Sequence, residues 1–223
     1  MTKQEANQKW PKRNGMYYFD IDGKEVILPA VTEILRVLAK PALVNWAAKE
    51  AAKIALDNPT LTEKEVVGQF GQISGNAATR GRGVHNFFQQ ILNNQYDIDA
   101  PEQYRPYLEG IIRFQKEYQV TPIFNERIVK SLKYGYAGTV DQAVKTNNQT
   151  WLIDLKTSKQ IYPEMGLQLE CYKQALVEEG FKIDKTAILL VPGDGTFQLA
   201  EVKGDIEVFL ALKKVWEWME GLK

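Results

Sequence analysis

The sequence predicts an α+β fold in which a helix is followed by three strands, a second helix and a further strand. Three observations carry that expectation. Segments 121–131, 137–145 and 150–157 read as strands, and the stretch Lys145–Gln149, with two asparagines, reads as the hairpin turn between the last two. Pro163 suits the first turn of a helix running to about Glu179, Gly180 suits its stop, and an apolar strand at 185–192 follows. Ahead of the strands, Pro101 opens a helix whose Tyr104, Tyr107, Leu108, Ile111 and Ile112 form one apolar stripe.

The remaining elements follow in chain order. Residues 1–15 are polar and expected to be loose. Tyr17 to Leu28, with Asp22-Gly23 at the middle, reads as a small hairpin. Helices are expected around 32–40 and 43–56, separated by Pro41. Thr60 and Glu63 suggest a capping box for a helix to about Phe70. The glycine-rich Gly71–Gly83 stretch reads as loop for much of its length, and no Gly-Lys-Ser/Thr follows it, so it is not a phosphate-binding P-loop. With no such motif anywhere, a nucleotide cofactor and a built-in ATP-driven motor are not expected. A strand near 196–203 and a helix at 205–220 close the chain. In that helix Val208, Phe209, Leu212, Val215, Trp216 and Met219 keep helical spacing, which predicts a packing helix.

Composition sets the bounds. A chain of 223 residues can bury one substantial core, and no linker demands two independent domains. The expected organisation is one compact unit, with a hairpin and helical region (1–100) packed on a core (101–223). Formal net charge is zero, so a polyanion would have to be held by local positive charge. The single cysteine, Cys171, excludes an intrachain disulfide and a thiolate zinc site. No signal peptide or spanning apolar run is visible, which predicts a cytoplasmic protein of a bacterial or phage-infected cell with no membrane partner.

The chemistry concentrates in two strands. Alternation puts Leu152, Asp154 and Lys156 on one face of the third strand and Trp151, Ile153 and Leu155 on the other. A carboxylate and an ammonium on a largely buried strand are costly without partners, and a divalent cation on Asp154 would supply one. The preceding strand carries Asp141 among small same-face neighbours, Ala137, Thr139 and Ala143. Pairing across the turn brings Asp141 towards Asp154, giving two carboxylates and a lysine of the kind magnesium favours. The plainer reading of Asp154 and Lys156 alone is an ordinary surface ion pair. Gln168 and Tyr172 share a helix face, where they can bind a nucleic-acid backbone or brace the site; taken alone, Tyr172 reads better as a core aromatic beside Met165, Leu169 and Leu176. His85, the only histidine, falls with Phe88 and Leu92 on an inward face, where a satisfied core histidine is the commoner outcome. An imidazole beside two carboxylates would suit manganese better than an all-oxygen site.

Together these residues resemble the PD-(D/E)XK nuclease superfamily in its RecB-like branch. That branch is marked by a helix histidine, a Gly-x-x-Asp strand, an Asp-x-Lys strand and a Gln-x-x-x-Tyr helix, present here as His85, Gly138–Asp141, Asp154–Lys156 and Gln168–Tyr172. Pro29–Leu35, Leu43, Trp46 and Thr79-Arg80-Gly81 extend the resemblance to the stand-alone phage, prophage and mitochondrial genome maintenance exonucleases. The resemblance implies a restriction-endonuclease-like αβββαβ core with a mixed central sheet and an added N-terminal helical region. It implies one or two Mg2+ or Mn2+ ions held by His85, Asp141, Asp154 and the main-chain carbonyl of Leu155. Asp141, Asp154 and Lys156 would be catalytic, with Lys156 orienting the attacking water. The lone cysteine separates the chain from relatives whose iron–sulfur cluster needs four thiolates.

Several flanking residues carry two readings. Thr157, Ser158, Arg80 and Arg82 can bind phosphates, Arg by its bidentate fork. Glu126 on the first core strand is a site member or an edge-strand surface glutamate. Tyr134 and Tyr136 can stack unpaired bases or belong to the core; Gly135 between them suggests an exposed turn. The expected function is a metal-dependent deoxyribonuclease, an exonuclease on single-stranded or frayed DNA ends that leaves 5′-phosphates and 3′-hydroxyls. The alternatives are a flap or branch endonuclease and, lower in rank, a nuclease-like DNA-binding subunit. A helicase or recombination protein is the partner such an enzyme would have. Sequence leaves the oligomeric state open.

Overall fold

The structure, a computed structural model, describes residues 12–221, with side chains described for 14–221. Most of the expected stretch 1–15 therefore lies outside the described residues. Its end is ordered otherwise than expected: Lys12–Arg13 forms a short strand, β1, paired antiparallel with β2 (Met16–Ile21). β2 pairs in turn with β3 (Lys24–Pro29) across Asp22-Gly23, both at positive φ, as a two-residue hairpin needs. This small sheet is tied to the main body by a bridge from Ala30 to Ala137.

The main sheet has five strands in the order β4 (Thr121–Ser131), β5 (Tyr136–Thr146), β6 (Gln149–Lys156), β7 (Lys185–Leu190) and β8 (Gln198–Glu201). Only β6 and β7 run parallel, joined through α5 (Pro163–Glu178); the other neighbours are antiparallel. The sheet is therefore mixed, and α4 (Arg105–Tyr118) followed by β4, β5, β6, α5 and β7 gives the expected α-β-β-β-α-β order. The β5–β6 turn falls on Asn147 and Asn148, both at positive φ, a conformation asparagine tolerates better than most residues.

Both faces of the sheet are covered. On one, α5, α6 (Ile206–Glu220) and α1 (Val31–Ile34) enclose a core that includes Leu152, Leu169, Tyr172, Ile188 and Phe209. On the other, α4 and the end of α3 (Glu63–Leu92) enclose Val84, Phe88, Ile111, Phe114, Ile153, Leu155 and Leu189. The alternation expected in β6 is visible here, with Leu152 in the first core and Trp151, Ile153 and Leu155 in the second.

The N-terminal helices differ from expectation. α1 is a single turn continued by a 3-10 turn at Leu35–Val37, and Pro41 lies in the first turn of α2 (Pro41–Asp57). The capping box is made by Thr62 and Glu65, not Thr60 and Glu63: Thr62 N–H donates to Glu65 Oε2 and Glu65 N–H to Thr62 Oγ1. It opens α3 (Glu63–Leu92), one continuous helix through the glycine-rich stretch read as loop. Each glycine costs about 1 kcal/mol against alanine in a helix. Three features offset this: the capped start, the packing of Phe70 on Trp46 of α2 with ring centroids 5.3 Å apart, and a buried end at Val84, Phe88, Ile91 and Leu92. At Gly83 packing requires glycine, because a Cβ would lie 2.9 Å from the Tyr104 ring. In α6, of the six residues expected to pack, only Phe209 is buried; Leu212 and Trp216 are half-buried, while Val208, Val215 and Met219 are exposed. Among the described residues no helix is long and apolar enough to cross a membrane.

Candidate active site

The register of the sheet sets the two aspartates. β5 and β6 pair from Thr146↔Gln149 to Gln142↔Ile153, and the pairing stops one step short of Asp141 and Asp154. The same register carried forward places the two opposite each other, so the strands part where their carboxylates meet. β4 pairs with β5 at Asn125↔Gln142 and Arg127↔Val140, which puts Glu126 across from Asp141 on the other side. Glu126 is exposed and has a φ of 46°, left-handed backbone in mid-strand.

Asp154 is 2% exposed. Its Oδ1 accepts from Gln168 Nε2 at 3.2 Å, and Lys156 Nζ lies 2.6 Å from its Oδ2. The same Gln168 nitrogen is 3.2 Å from the Tyr172 hydroxyl. Tyr172 thus satisfies both of its readings, being buried in the α5-side core and reaching the site with its hydroxyl. Gly138 makes room for it: a Cβ there would stand 2.2 Å from the Tyr172 ring. That contact gives the glycine of the Gly-x-x-Asp strand a packing role.

His85 lies at the border of the buried face of α3, not within it; its Nδ1 is 3.3 Å from Asp141 Oδ2. Burial lowers its pKa against the pull of Asp154, Lys156 lowers it further, and the Leu155 main-chain carbonyl favours the protonated ring. Burial and the adjacent Asp154 carboxylate push Asp141 well above the usual carboxylate range. Burial alone would depress Lys156, but Asp154 and Asp141 outweigh it and hold the ammonium charged. Asp141 Oδ2 and Asp154 Oδ2 are both buried, and neither receives a hydrogen bond of good geometry despite these ion-pair contacts.

Those two oxygens bear on whether a cation fits. Among the described residues no three His, Cys, Asp or Glu side chains converge on one point as a ready-made metal site, Asp154 being engaged by Lys156 and Gln168. The donor types are nevertheless those a divalent cation takes: two carboxylates and an imidazole. His85, Asp141 and Asp154 are the residues that would hold such an ion, with Lys156 released from Asp154 Oδ2.

The flanking residues divide. Thr157 Oγ1 lies beside Gly81 of α3, and Arg80 is half-buried with its Nε lacking a partner. Arg82 is exposed and bonded to Thr79 Oγ1, while Ser158 donates to the Gln160 carbonyl. Arg82, His85, Asn86 and Glu126 line, with Ala78 and Gly81, a cavity of about 440 Å³. Tyr136 corrects the base-stacking reading: it is fully buried, its hydroxyl donates to the Cys171 carbonyl, and its ring packs on Phe209. Tyr134 stacks on Tyr136 and is half-buried against the same core.

Sequence reasoning did not single out Tyr17. Its hydroxyl is 2.8 Å from Thr139 Oγ1 on the Gly-x-x-Asp strand, and its ring adds to the surroundings that raise the Tyr172 pKa after burial, Asp154 and Asp141. The contact joins residues far apart in the chain and leaves no local pattern. Asn86, which lines the cavity, could have been found from its place one residue after His85.

No family profile matches the chain, and no curated protein matches it by sequence. Solved structures with partial likeness include that of SSO0001, 13% identical, covering 85% of this chain and 75% of that one with a TM-score of 0.39. Another is an alkaline exonuclease, LHK-Exo, from Laribacter hongkongensis, 14% identical, covering 60% of this chain and 82% of that one with a TM-score of 0.36. Likenesses of this size carry no functional argument, which rests on this chain's own residues.

Proposed function

We propose that the protein is a metal-dependent nuclease of the PD-(D/E)XK type, RecB-like branch, hydrolysing phosphodiester bonds in DNA. The observation that carries the reading is the parting of β5 and β6 at Asp141 and Asp154, with Lys156 on Asp154 and His85 on Asp141. In this reading His85, Asp141 and Asp154 hold Mg2+ or Mn2+, with the Leu155 carbonyl as a further donor. The ion, when bound, lowers the pKa of a bound water and polarises the phosphate. Lys156, freed from Asp154, orients the attacking water and offsets the charge that builds on phosphorus. The water oxygen would bond to phosphorus as it gives up its proton, the bond to the 3′-oxygen would break, and that oxygen would take a proton from solvent, leaving a 5′-phosphate and a 3′-hydroxyl. Gln168 and Tyr172 hold Asp154 in place as positioning residues. The finer assignment is an exonuclease acting on single-stranded or frayed ends in the cytoplasm.

The test is cleavage of end-labelled linear and circular single-stranded DNA with Mg2+, Mn2+ or chelator, beside the Asp154→Ala variant. Metal-dependent loss of the linear strand alone, absent in the variant, is the expected result. Cutting of circles would move the assignment to an endonuclease. A protein that binds DNA but cuts none would be a nuclease-like binding subunit.

A further inference from the structure

Lys156 and Asp154 make the closest charged contact of the cluster, the ammonium lying 2.6 Å from Oδ2 of a carboxylate that is 2% exposed. The other oxygen, Oδ1, accepts from Gln168 Nε2 at 3.2 Å. One oxygen is thus ion-paired and the other hydrogen-bonded, and the buried charge is met within the fold. Without such a partner a buried carboxylate is costly, so the pairing serves the stability of the chain in its own right. Asp154 and Asp141 hold the ammonium charged against its burial, so the partner is a cation and not a neutral amine.

A divalent cation on Asp154 meets this arrangement as a rival. Magnesium sits about 2.1 Å from a carboxylate oxygen. With the ammonium 2.6 Å from the same Oδ2, the two positive centres would lie less than about 5 Å apart. Charges of one and two units at that separation repel strongly where little water screens them. Lys156 stands two residues from Asp154 in β6, so the rival is tethered at the carboxylate. Its side chain is also the more exposed of the pair, 26% against 2%, and is therefore the partner with room to turn away.

We propose that Lys156 sets the cation affinity and charge selectivity of the site by competing with the ion for Asp154 Oδ2. The ammonium is the resident partner of Asp154, and a divalent cation binds there by displacing it. A monovalent ion brings the carboxylate no more charge than the ammonium already supplies, so the exchange favours divalent ions. The inference rests on the nuclease reading for the place of the ion, at His85, Asp141 and Asp154.

The experiment is calorimetric titration of the metal-stripped full chain with Mn2+, comparing the parent with Lys156→Met, Lys64→Met and Asp154→Ala. Methionine keeps much of the lysine stem and removes its charge. Lys64 is exposed near the start of α3 and controls for the loss of one positive charge elsewhere. A Kd lower by about tenfold or more is expected for Lys156→Met, with Lys64→Met within about twofold of the parent. In urea with chelator Lys156→Met should unfold at lower denaturant, and Mn2+ should raise its midpoint more than the parent's, since tighter binding to the native state stabilises it more. Equal or weaker Mn2+ binding by Lys156→Met would overturn the competition. Binding undiminished in Asp154→Ala would place the ion elsewhere and overturn it too. Absence of binding by both the parent and Lys156→Met would overturn it and take the cation out of the nuclease reading. If Lys156→Met does not fold, the parent alone decides: reductive methylation of Lys156, followed by peptide mass spectrometry, should run several-fold faster with Mg2+ than with chelator. An unchanged rate would overturn the proposal. Hydrolysis of bis-p-nitrophenyl phosphate by the parent with Mn2+ is measured alongside. Tighter binding by Lys156→Met beside a parent that hydrolyses no ester would leave the competition standing and remove the nuclease reading.

Discussion

α5 and α3 both deliver side chains to the same cluster, and they are built on opposite terms. α5 has 16 residues, of which Met165, Gly166, Leu169, Cys171, Tyr172, Ala175 and Leu176 are buried. α3 has 30, and its four buried residues, Val84, Phe88, Ile91 and Leu92, all fall at its end. Gln168 and Tyr172 are thus fixed by the core itself, whereas His85 sits where α3 leaves the core for solvent. The comparison separates two tasks. A residue that holds a carboxylate in place benefits from a rigid, packed helix. α3 instead leaves one face free, with glycine, serine and alanine along it.

Substitutions in the two helices should differ in size and in sign. Leu169→Ala should cost about 2–5 kcal/mol in urea unfolding, because the residue is 1% exposed in the α5-side core and its removal leaves a cavity. Gly138→Ala should cost about 1–3 kcal/mol by overpacking, since the new Cβ meets the Tyr172 ring. It should also slow DNA cleavage by displacing Tyr172 from Gln168, a loss that a purely structural glycine would not predict once stability is matched. On α3 the sign reverses. Gly68→Ala should stabilise by about 0.5–1 kcal/mol, because the site is helical and open and alanine lowers the entropy of the unfolded chain. A destabilised Gly68→Ala protein would mean that this part of α3 is covered by something in solution.

The same contrast explains what the sequence made legible. Strands 121–131, 137–145 and 150–157 were readable to within a residue or two, because alternation and the Asn147-Asn148 turn are local signals. Pro163 and Gly180 bracketed α5 for the same reason, and Gly180 indeed has positive φ just past its end. The Asp141–Asp154 opposition followed from the turn and from counting. Within α3 only the stretch 71–83 reads as loop, because glycine is a poor helix former. Its helicity comes from the Thr62–Glu65 cap, the contact with α2 and the buried final turns, only the first of which is local. Sequence leaves Tyr136 open between base stacking and core because Gly135 marks a turn; the partners that bury it, Cys171 and Phe209, are remote in sequence. The outward side of α6 was hidden by the same limit, since helical spacing alone does not say which apolar face meets the sheet.

Lys156 beside Asp154 is, in the proposed mechanism, chemical machinery and not an ion pair that merely satisfies a buried charge. The most direct measurement is single-turnover cleavage of linear single-stranded DNA by Lys156→Ala, with Mn2+ binding followed by calorimetry on the same preparation. Retained Mn2+ and DNA binding with a rate lower by on the order of 10²–10³ is expected, as for loss of one transition-state electrostatic donor. A variant that cleaves at close to the parent rate would contradict it.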